Sequence, residues 1–277
     1  MVADKEAWKI VITNINLPQW LDQTIFDDLQ AHYCCSCSNM TVIDWDKSNV
    51  LNYLGTYFPR SYTEAYCIGK KYFEFHCEAW KEKENISIFD FGCGTGGEII
   101  GLLTAIEEQL HNIKQVHITA LDGNQHALRL FEKIIKAYQK QSKLQIQYHI
   151  IPFEIDDFYD LSIFDSVISQ TFDIILSSKA VCEFVTKEKF EKQNAYKHIA
   201  QSLLPKLQID GIFLLTDVTT YNDVSQEWLP RMMDQGLAGV DCQVIERNEG
   251  YNQAFTVSHS KRKNDISKIA WRIINKK

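Results

Sequence analysis

The 277-residue chain lacks a surplus of positive charge, since 29 Lys and Arg residues stand against 36 Asp and Glu residues. A protein that covers nucleic acid along its whole surface needs the opposite balance, because phosphate contacts supply most of its affinity. The chain also lacks the run of ~20 consecutive apolar residues that a membrane helix requires. These absences argue against a nucleic-acid coat and against a membrane-spanning chain, and they leave a local basic patch open.

Proline is scarce, with five residues, and no repeat, low-complexity segment or Pro/Ser-rich linker is present. We therefore expect one large domain, or one domain with a smaller attachment. The opening sequence MVADKEAWKI has no basic start followed by an apolar run, which a secretory signal would show. The expected location is the cytoplasm, where most of the eight cysteines would be buried thiols.

A structural metal site is not expected, although Cys34 and Cys37 form one C-x-x-C pair. Structural zinc normally adds a second such pair, or a spaced pair of histidines, within a small module. Cys67, His76 and Cys77 could complete a site only through the fold. The prediction is therefore that no metal is bound.

The composition of the sequence and its pattern of apolar residues change near residue 80. Residues 1–80 are rich in aromatic side chains and lack a clear run of buried strands, while Tyr62, Tyr66 and Tyr72 recur at helical spacing. We expect this segment to form an N-terminal helical cap and substrate-binding region. Residues 81–277 would form the main domain on which the cap packs.

From residue 86 onward, short apolar runs alternate with helical patterns. The predicted strands are 86–91, 116–121, 144–151, 172–176 and 211–217, and the predicted helices are 97–110, 124–138 and 187–204. This alternation predicts an α/β fold, a doubly wound and mostly parallel sheet with helices on both faces. Two of the segments 240–246, 253–258 and 268–274 would complete a seven-stranded sheet as an antiparallel hairpin around 261–265, and the pattern does not decide which two.

The most informative motif is Asp90-Phe91-Gly92-Cys93-Gly94-Thr95-Gly96-Gly97, which follows the first predicted strand and begins the first helix. Glycines let the backbone turn sharply and approach a ligand, and the helix N-terminus offers free N–H groups. Gly92, Gly94 and Gly97 fit the dinucleotide pattern G-x-G-x-x-G. Asp90 with Gly92, Gly94 and Gly96 fits a second pattern, D-x-G-x-G-x-G.

This second pattern closely resembles motif I of the class I S-adenosylmethionine-dependent methyltransferases. The ~80 residues before the motif agree with that resemblance, which implies a Rossmann-like fold, methyltransferase activity and S-adenosylmethionine as cofactor. Asp122 ends the second strand, where a carboxylate can accept hydrogen bonds from ribose hydroxyls. Asp122 would serve a dinucleotide equally well, so it supports nucleoside binding without separating the two cofactors.

The resemblance also implies a set of cofactor-binding residues. Phe153 and Glu154 would lie beside the adenine, and Ser177 and Ser178 near the methionine part. The full implied set is Asp90, Gly92, Cys93, Gly94, Gly96, Asp122, Gly123, Asn124, Phe153, Glu154, Ser177 and Ser178. The family's L-x-P-G-G turn before its fifth strand is replaced here by a longer connection after Pro205.

Methyl transfer depends mainly on positioning and on the exclusion of water, so no conspicuous catalytic group is expected. Glu183 is the candidate general base by position. Arg60 could hold a carboxylate of the methionine moiety or of a substrate, and Tyr62 and Tyr66 could line the pocket, because aromatic faces suit a sulfonium cation. Cys182 has no neighbouring proline, unlike the nucleophile of cytosine-C5 enzymes, and is interpreted as a packed thiol.

The predicted function is methyl transfer to a small or medium organic acceptor. The absence of N/D-P-P-Y/F after the fourth strand disfavours the subclass that methylates exocyclic amines. An RNA methyltransferase that uses the basic run Lys261-Arg262-Lys263 is the alternative, followed by a catalytically inactive methyltransferase-like subunit. An NAD-dependent oxidoreductase ranks last, because no Tyr-x-x-x-Lys pair stands out. The oligomeric state stays open.

Overall fold

The computed structural model of the protein describes residues 10, 13–35, 46–155, 157–160, 162, 164, 168–185 and 194–277. The helices are α1 (Gln19–Gln23), α2 (Lys47–His76), α3 (Gly97–Gln109), α4 (Gln125–Gln139), α5 (Val181–Val185), α6 (Ala195–Leu203) and α7 (Leu229–Ala238). The strands are β1 (Asn14–Asn16), β2 (Asn85–Phe91), β3 (Gln115–Asp122), β4 (Gln145–Pro152), β5 (Phe172–Ser178), β6 (Leu207–Val218), β7 (Tyr221–Asn222), β8 (Glu227–Trp228), β9 (Cys242–Arg247), β10 (Gln253–His259) and β11 (Arg262–Lys276). A π-helical turn at Thr24–Asp28 and 3-10 turns at Cys77–Trp80 and Leu204–Lys206 extend helices α1, α2 and α6.

The main sheet has the strand order β1-β10-β11-β6-β5-β2-β3-β4. Strands β2 to β6 are mutually parallel, and β11 runs antiparallel to β6 and β10. The predicted α/β fold with a mostly parallel sheet is therefore confirmed. The hairpin that completes the sheet joins β10 to β11 through a turn at Ser260 and Lys261.

The sheet contains nine strands in the described part of the chain, rather than the predicted seven. One additional strand is β1, which lies inside the region predicted to be helical. It pairs in parallel with β10. Its three residues are too few to give a sequence signal. The other is β9, which pairs with the far end of the 15-residue strand β11, beyond the segment that pairs with β10. All three C-terminal segments therefore belong to the sheet.

Two hydrophobic clusters cover the two faces of the sheet. In β2, Ile88 packs with α2, α3 and α4 on one face, while its neighbour Phe89 packs with α5, α6 and α7 on the other. Successive side chains point to opposite faces of a strand, so a strand covered by helices on both sides must be apolar throughout. This explains the continuous apolar runs of the sequence.

Helix α2 packs closely along α3. Its N-cap is Asp46, whose side chain accepts a hydrogen bond from the N–H of Asn49 at 2.8 Å. A Cβ atom at Gly101 of α3 would lie only 2.2 Å from the carbonyl oxygen of Tyr62, so glycine is required for this approach. Leu54 of α2 belongs to the same hydrophobic cluster as the sheet, and the N-terminal region therefore shares one core with the residues that follow it.

Several other sequence predictions concern this fold. The 221–239 insertion forms the small β7–β8 hairpin and α7, and the predicted helix 187–204 appears as α6, with residues 186–193 outside the described residues. Cys37 also lies outside them. Across the described ranges, no three His, Cys, Asp or Glu side chains are grouped as metal ligands, and no helix is sufficiently long and apolar to span a bilayer.

Candidate active site

A pocket lies where β2, β3, β4 and β5 reach their carboxyl ends. The chain moves outward from β2 through β3 to β4 and then returns to β5 on the other side of β2. Ligands of open α/β sheets bind at such a reversal of strand order. The pocket is lined by Tyr53, Phe91, Gly92, Gly94, Leu121, Asp122, Gly123, Phe153, Glu154, Ile155, Ser178, Lys179, Ala180, Glu183 and Phe184.

The glycine loop connects β2 to α3 and forms one wall of the pocket. Gly92, Gly94 and Gly96 have φ angles of +72°, +49° and +81°, which are strained for any residue with a side chain. Gly92 and Gly94 line the pocket. Gly96 lies behind it, where a Cβ atom would overlap the ring of Phe131 at 2.2 Å. The buried Cys93 is likewise absent from the lining.

Asp122 supports the loop from beneath. Its Oδ2 accepts a hydrogen bond from the N–H of Gly94 at 2.8 Å, and its Oδ1 accepts one from the N–H of Asn124 at 2.7 Å. Burial raises the pKa of Asp122, and these two N–H groups oppose that shift. Asn124 does not line the pocket, because its side chain caps α4 by accepting from the N–H groups of His126 and Ala127.

Asp90 lies in the core next to the loop. It is fully buried, and neither of its carboxylate oxygens has a hydrogen-bond partner of good geometry among the described residues. Burial and the nearby carboxyl of Glu98 raise the pKa of Asp90 well above its usual value, and burial also raises the pKa of Glu98. The buried hydroxyl of Ser177 likewise has no hydrogen-bond partner within the part of the chain that the structure describes. Buried polar groups without partners are costly, so a ligand with donor groups fits this end of the site.

The opposite wall is formed by the end of β5 and by α5. Lys179 follows β5 with φ of +57°, and its ammonium lies 2.7 Å from the carboxylate of Glu64 on α2, which is 1% exposed. Ser178 accepts a hydrogen bond from the hydroxyl of Thr216 at 3.0 Å. Glu183 is half-buried in the first turn of α5 and faces the same pocket. The Lys179–Glu64 pair therefore joins this wall to the N-terminal region.

The third wall continues from β4. The N–H of Phe153 donates to the carbonyl of Asp122 at 3.0 Å, so the turns after β3 and β4 lie side by side. Phe153 and Glu154 line the pocket next to Gly123. An aromatic side chain and an acid are thus adjacent to the residues expected to hold an adenosine.

The three residues predicted to bind substrate lie elsewhere. Arg60 forms two hydrogen bonds of 2.7 Å with Asp265, so the carboxylate that it holds belongs to the C-terminal hairpin. Tyr62 is buried between α2 and α3, with its ring stacked on Tyr66 at 6.0 Å. The hydroxyl of Tyr66 donates to Glu108 at 2.9 Å. None of the three is among the lining residues.

Tyr53 is the aromatic residue that α2 does bring to the pocket. Its hydroxyl would lie 3.4 Å from a Cβ atom at Gly94, directly over the glycine loop. Burial, together with the carboxylates of Glu98 and Glu183, raises its pKa well above the usual value. Sequence reasoning missed Tyr53 because the N-terminal region contains many aromatic residues, and nothing in their spacing shows which one reaches the loop.

The sheet order, the glycine loop and the acid that ends β3 together define a class I S-adenosylmethionine-dependent methyltransferase. A family model described as a methyltransferase domain matches residues 82–270, and the chain belongs to this family. The protein is therefore an enzyme that uses S-adenosylmethionine to methylate an acceptor. No curated protein matches the chain significantly.

Solved structures with a similar fold include methyltransferases of different kinds. The precorrin-6y C5,15-methyltransferase of Geobacter metallireducens is 13% identical, with a TM-score of 0.41, and the match covers 76% of this chain and 87% of that chain. A Listeria monocytogenes protein provisionally described as a class I S-adenosylmethionine-dependent methyltransferase is 12% identical, with a TM-score of 0.48 and coverage of 92% and 66%. A Pyrococcus horikoshii protein provisionally described as an RNA methyltransferase is 11% identical, with a TM-score of 0.43 and coverage of 76% and 84%.

Proposed function

We propose that the enzyme transfers the methyl group of S-adenosylmethionine to a small or medium organic acceptor. The observation that carries the proposal is a single pocket that joins the glycine loop, Asp122 and the β4 turn to Tyr53 and Glu183. In this proposal the first three would contact the nucleoside, and the last two would face the acceptor. The net charge of −7 also favours a small acceptor over bulk nucleic acid.

In this proposal the cofactor residues fall into two groups. Direct contacts come from the residues that line the pocket: Gly92, Gly94, Asp122, Gly123, Phe153, Glu154 and Ser178. The other predicted residues do not line the pocket and would contribute indirectly, by shaping the loop or by offering buried polar groups to the amino-acid end of the cofactor. They are Asp90, Cys93, Gly96, Asn124 and Ser177. The N-terminal region would take part in acceptor binding through Tyr53.

Glu183 is proposed as the general base. When bound, S-adenosylmethionine would supply an electrophilic methyl group, and its sulfur would retain the electron pair of the C–S bond that is broken. Glu183 would accept the proton that the acceptor loses and pass it to water. Tyr53 and Phe184 would limit water in the pocket, and most of the rate would come from the alignment of acceptor and methyl group.

Calorimetry with S-adenosylmethionine, S-adenosylhomocysteine and NAD tests the proposed cofactor site. Binding of the first two ligands without binding of NAD is expected. Tight NAD binding with no response to either adenosyl ligand would contradict the assignment.

We further propose the cytoplasm as the location. The support is that Cys67 and Cys93 are buried thiols, and burial raises their pKa values, so that they stay protonated.

RNA is the second candidate acceptor, favoured by one feature of the C-terminal hairpin. Ile269 of β11 pairs with Val218 at the end of β6, so residues 262–268 extend beyond the carboxyl edge that carries the pocket. The exposed Lys261, Arg262 and Lys263 lie at this end. If RNA is the acceptor, replacing all three by alanine should weaken RNA binding. The slope of the logarithm of the binding constant against the logarithm of salt concentration should also become shallower, by about 0.7 for each phosphate contact that is lost. Unchanged RNA affinity and salt slope would exclude this role for the hairpin.

A further inference from the structure

Strand β4 is the last strand of the main sheet and carries no charged side chain. In the part of the chain that the structure describes, β3 pairs with one edge of β4 and no strand pairs with the other. The eight residues Gln145–Pro152 include no Lys, Arg, Asp or Glu, and their register with β3 is unbroken. Natural proteins protect sheet edges with charged side chains, bulges or very short strands, because an open edge pairs readily with another strand. Strand β4 has none of these three features.

The hydrogen bonds of β4 to its neighbour show which backbone groups point to the open edge. The N–H of Gln145 donates to the carbonyl of Lys114 at 2.8 Å, and the N–H of Phe153 donates to the carbonyl of Asp122 at 3.0 Å. Successive residues of a strand direct their backbone groups to alternate edges, so the odd-numbered residues of β4 face β3. The even-numbered residues direct theirs to the open edge: Ile146, Tyr148, Ile150 and Pro152.

The two ends of this open edge are complementary to each other. At one end, the side-chain amide of Gln139 on α4 already donates to the carbonyl of Ile146 at 2.8 Å. At the other end, Pro152 has a carbonyl but no N–H group. Ile146 therefore needs an acceptor for its N–H but no further donor, and Pro152 supplies an acceptor but no donor. The two residues match if they lie opposite each other in an antiparallel pair.

We propose that two copies of the chain form a dimer by antiparallel pairing of their β4 strands about a two-fold axis at His149. In this register Tyr148 of each copy lies opposite Ile150 of the other, and the two residues exchange both backbone hydrogen bonds. Ile146 lies opposite Pro152 and donates its N–H to the Pro152 carbonyl. These bonds use every outward N–H and carbonyl of β4, because Gln139 binds the Ile146 carbonyl. The inference concerns assembly and does not depend on the proposed function.

Neighbouring registers are less favourable for identifiable reasons. A two-fold axis at Tyr148 would place Ile146 opposite Ile150, so that the Ile150 N–H would compete with Gln139 for one carbonyl. An axis at Ile150 would place Tyr148 opposite Pro152, which has no N–H for the Tyr148 carbonyl. Backbone groups that lose water without gaining a partner cost free energy. The axis at His149 avoids both losses.

The side chains along this edge suit the same arrangement. Tyr148 and Ile150 pack on the hydrophobic cluster beneath α4, so each copy would place an aromatic ring beside a β-branched side chain, which is a favourable cross-strand pair. Arg129 and Glu132 of α4 line the same edge and contribute one charge of each sign, so the two surfaces would meet without net repulsion. His149 is exposed on the opposite face and would lie beside His149 of the second copy.

Analytical ultracentrifugation of the full chain tests the dimer. The wild type should be dimeric, with a dimer fraction that falls on dilution. His149→Glu and His149→Lys each place like charges opposite one another, and each should raise the dissociation constant of the dimer by at least about tenfold. A mixture of the two variants places opposite charges together and should form heterodimers. Gln243→Glu and Gln243→Lys make matched changes at an exposed position of β9 and should alter nothing.

Engineered cysteines test the register. Opposed residues of a non-hydrogen-bonded pair have Cα atoms about 4.5 Å apart, which is within the range of a disulfide. Under mild oxidation His149→Cys should link two chains through position 149, as mass spectrometry of the linked peptides would show. Gln147→Cys is the matched control, because it lies on the same exposed face but would be about 13 Å from its counterpart along the pair of strands.

A backbone variant tests the hydrogen bonds themselves. Ile150→Pro removes an outward N–H that each copy donates across the axis, so it should weaken the dimer, whereas Ile150→Val keeps that N–H and should not. If Ile150→Pro does not fold, the variants at the exposed His149 decide the test. A wild type that stays monomeric at every concentration would overturn the proposal. A dimer that survives both charge variants of His149, or equal cross-linking of His149→Cys and Gln147→Cys, would overturn it as well.

Discussion

Gly94 and Gly250 both have a left-handed backbone, with φ of +49° and +67°, but their surroundings differ. Gly94 faces the pocket under Tyr53, whereas no atom of the described residues lies within 4 Å of a Cβ atom built on Gly250. Alanine at either position should lower the free energy of unfolding by about 1–2 kcal/mol, because the left-handed conformation is strained for any L side chain. Only Gly94→Ala should also weaken S-adenosylmethionine.

Calorimetry and urea unfolding of the two alanine variants check this expectation. Gly250→Ala serves as the matched control for backbone strain alone. Equal cofactor affinity in the two folded variants would mean that the loop does not approach the ligand.

Asp122 offers a second prediction at the scale of a single side chain. Hydrogen bonds to a charged group contribute about 1.5–3 kcal/mol, so Asp122→Asn should weaken S-adenosylmethionine by about ten- to a hundredfold. Asp241→Asn is the control, since the side chain of Asp241 is 88% exposed and Asp241 is not among the residues that line the pocket. A loss below about threefold in calorimetry would place Asp122 outside the ribose contact.

The sequence is sufficient to predict some of these residues and not others. A sharp turn between a strand and a helix requires glycines at closely spaced positions, so Gly92 and Gly94 can be predicted from one short sequence motif. Lys179 and Glu64 are 115 positions apart and meet only because α2 crosses the end of β5. No local pattern carries that contact, and the same is true of Tyr53.

At the scale of elements, the contact between α2 and α3 depends on a missing side chain. Alanine at Gly101 would improve helix propensity by about 1 kcal/mol. Its Cβ atom would nevertheless lie 2.2 Å from the backbone oxygen of Tyr62, and overpacking of this kind costs about 1–3 kcal/mol. We therefore expect Gly101→Ala to reduce stability, against its propensity.

Urea unfolding measures this effect, with Gly239→Ala as the control. A Cβ atom at Gly239 would make only ordinary contacts of 3.4 Å, at the end of α7. A stabilised Gly101→Ala variant would show that α2 can move away from α3 at little cost.

The elements themselves were predictable where burial imposes a period. Strands β2, β3 and β5 are covered on both sides, so their apolar runs stand out, and the stripe of α4 is equally clear. Strand β1 has three residues, and β9 and β10 form one interrupted partner for β11. Their pairing depends on the distant strands beside them, so the sequence pattern could not establish the sheet edge.

For the whole molecule, the buried acids link cofactor binding to protons. Burial raises the pKa of Asp90, Glu98 and Asp122, so the folded apoprotein holds protons that the unfolded chain loses. Stability from these groups is complete below about pH 4, the ordinary carboxyl range, and declines as pH rises through their raised pKa values.

A cationic ligand favours the ionised form of these carboxyl groups and therefore lowers their pKa values. S-adenosylmethionine should therefore bind more tightly as pH rises and release protons on binding.

Calorimetry in buffers of different ionisation enthalpy measures the released protons directly. The rise in melting temperature produced by S-adenosylmethionine should grow with pH over the same range. Proton uptake on binding, or an affinity that falls with pH, would contradict this linkage.

Strand β1 also has a consequence for the order in which the molecule can be assembled. Asn14 pairs with Thr256, so the partner of β1 is synthesised about 240 residues later. At translation rates of about 5–20 residues per second, β1 leaves the ribosome roughly 12–50 s before β10 exists. During that interval the central parallel strands can already associate, while β1 has no strand with which to pair. The edge of the sheet is therefore closed last, by the part of the chain that was made first.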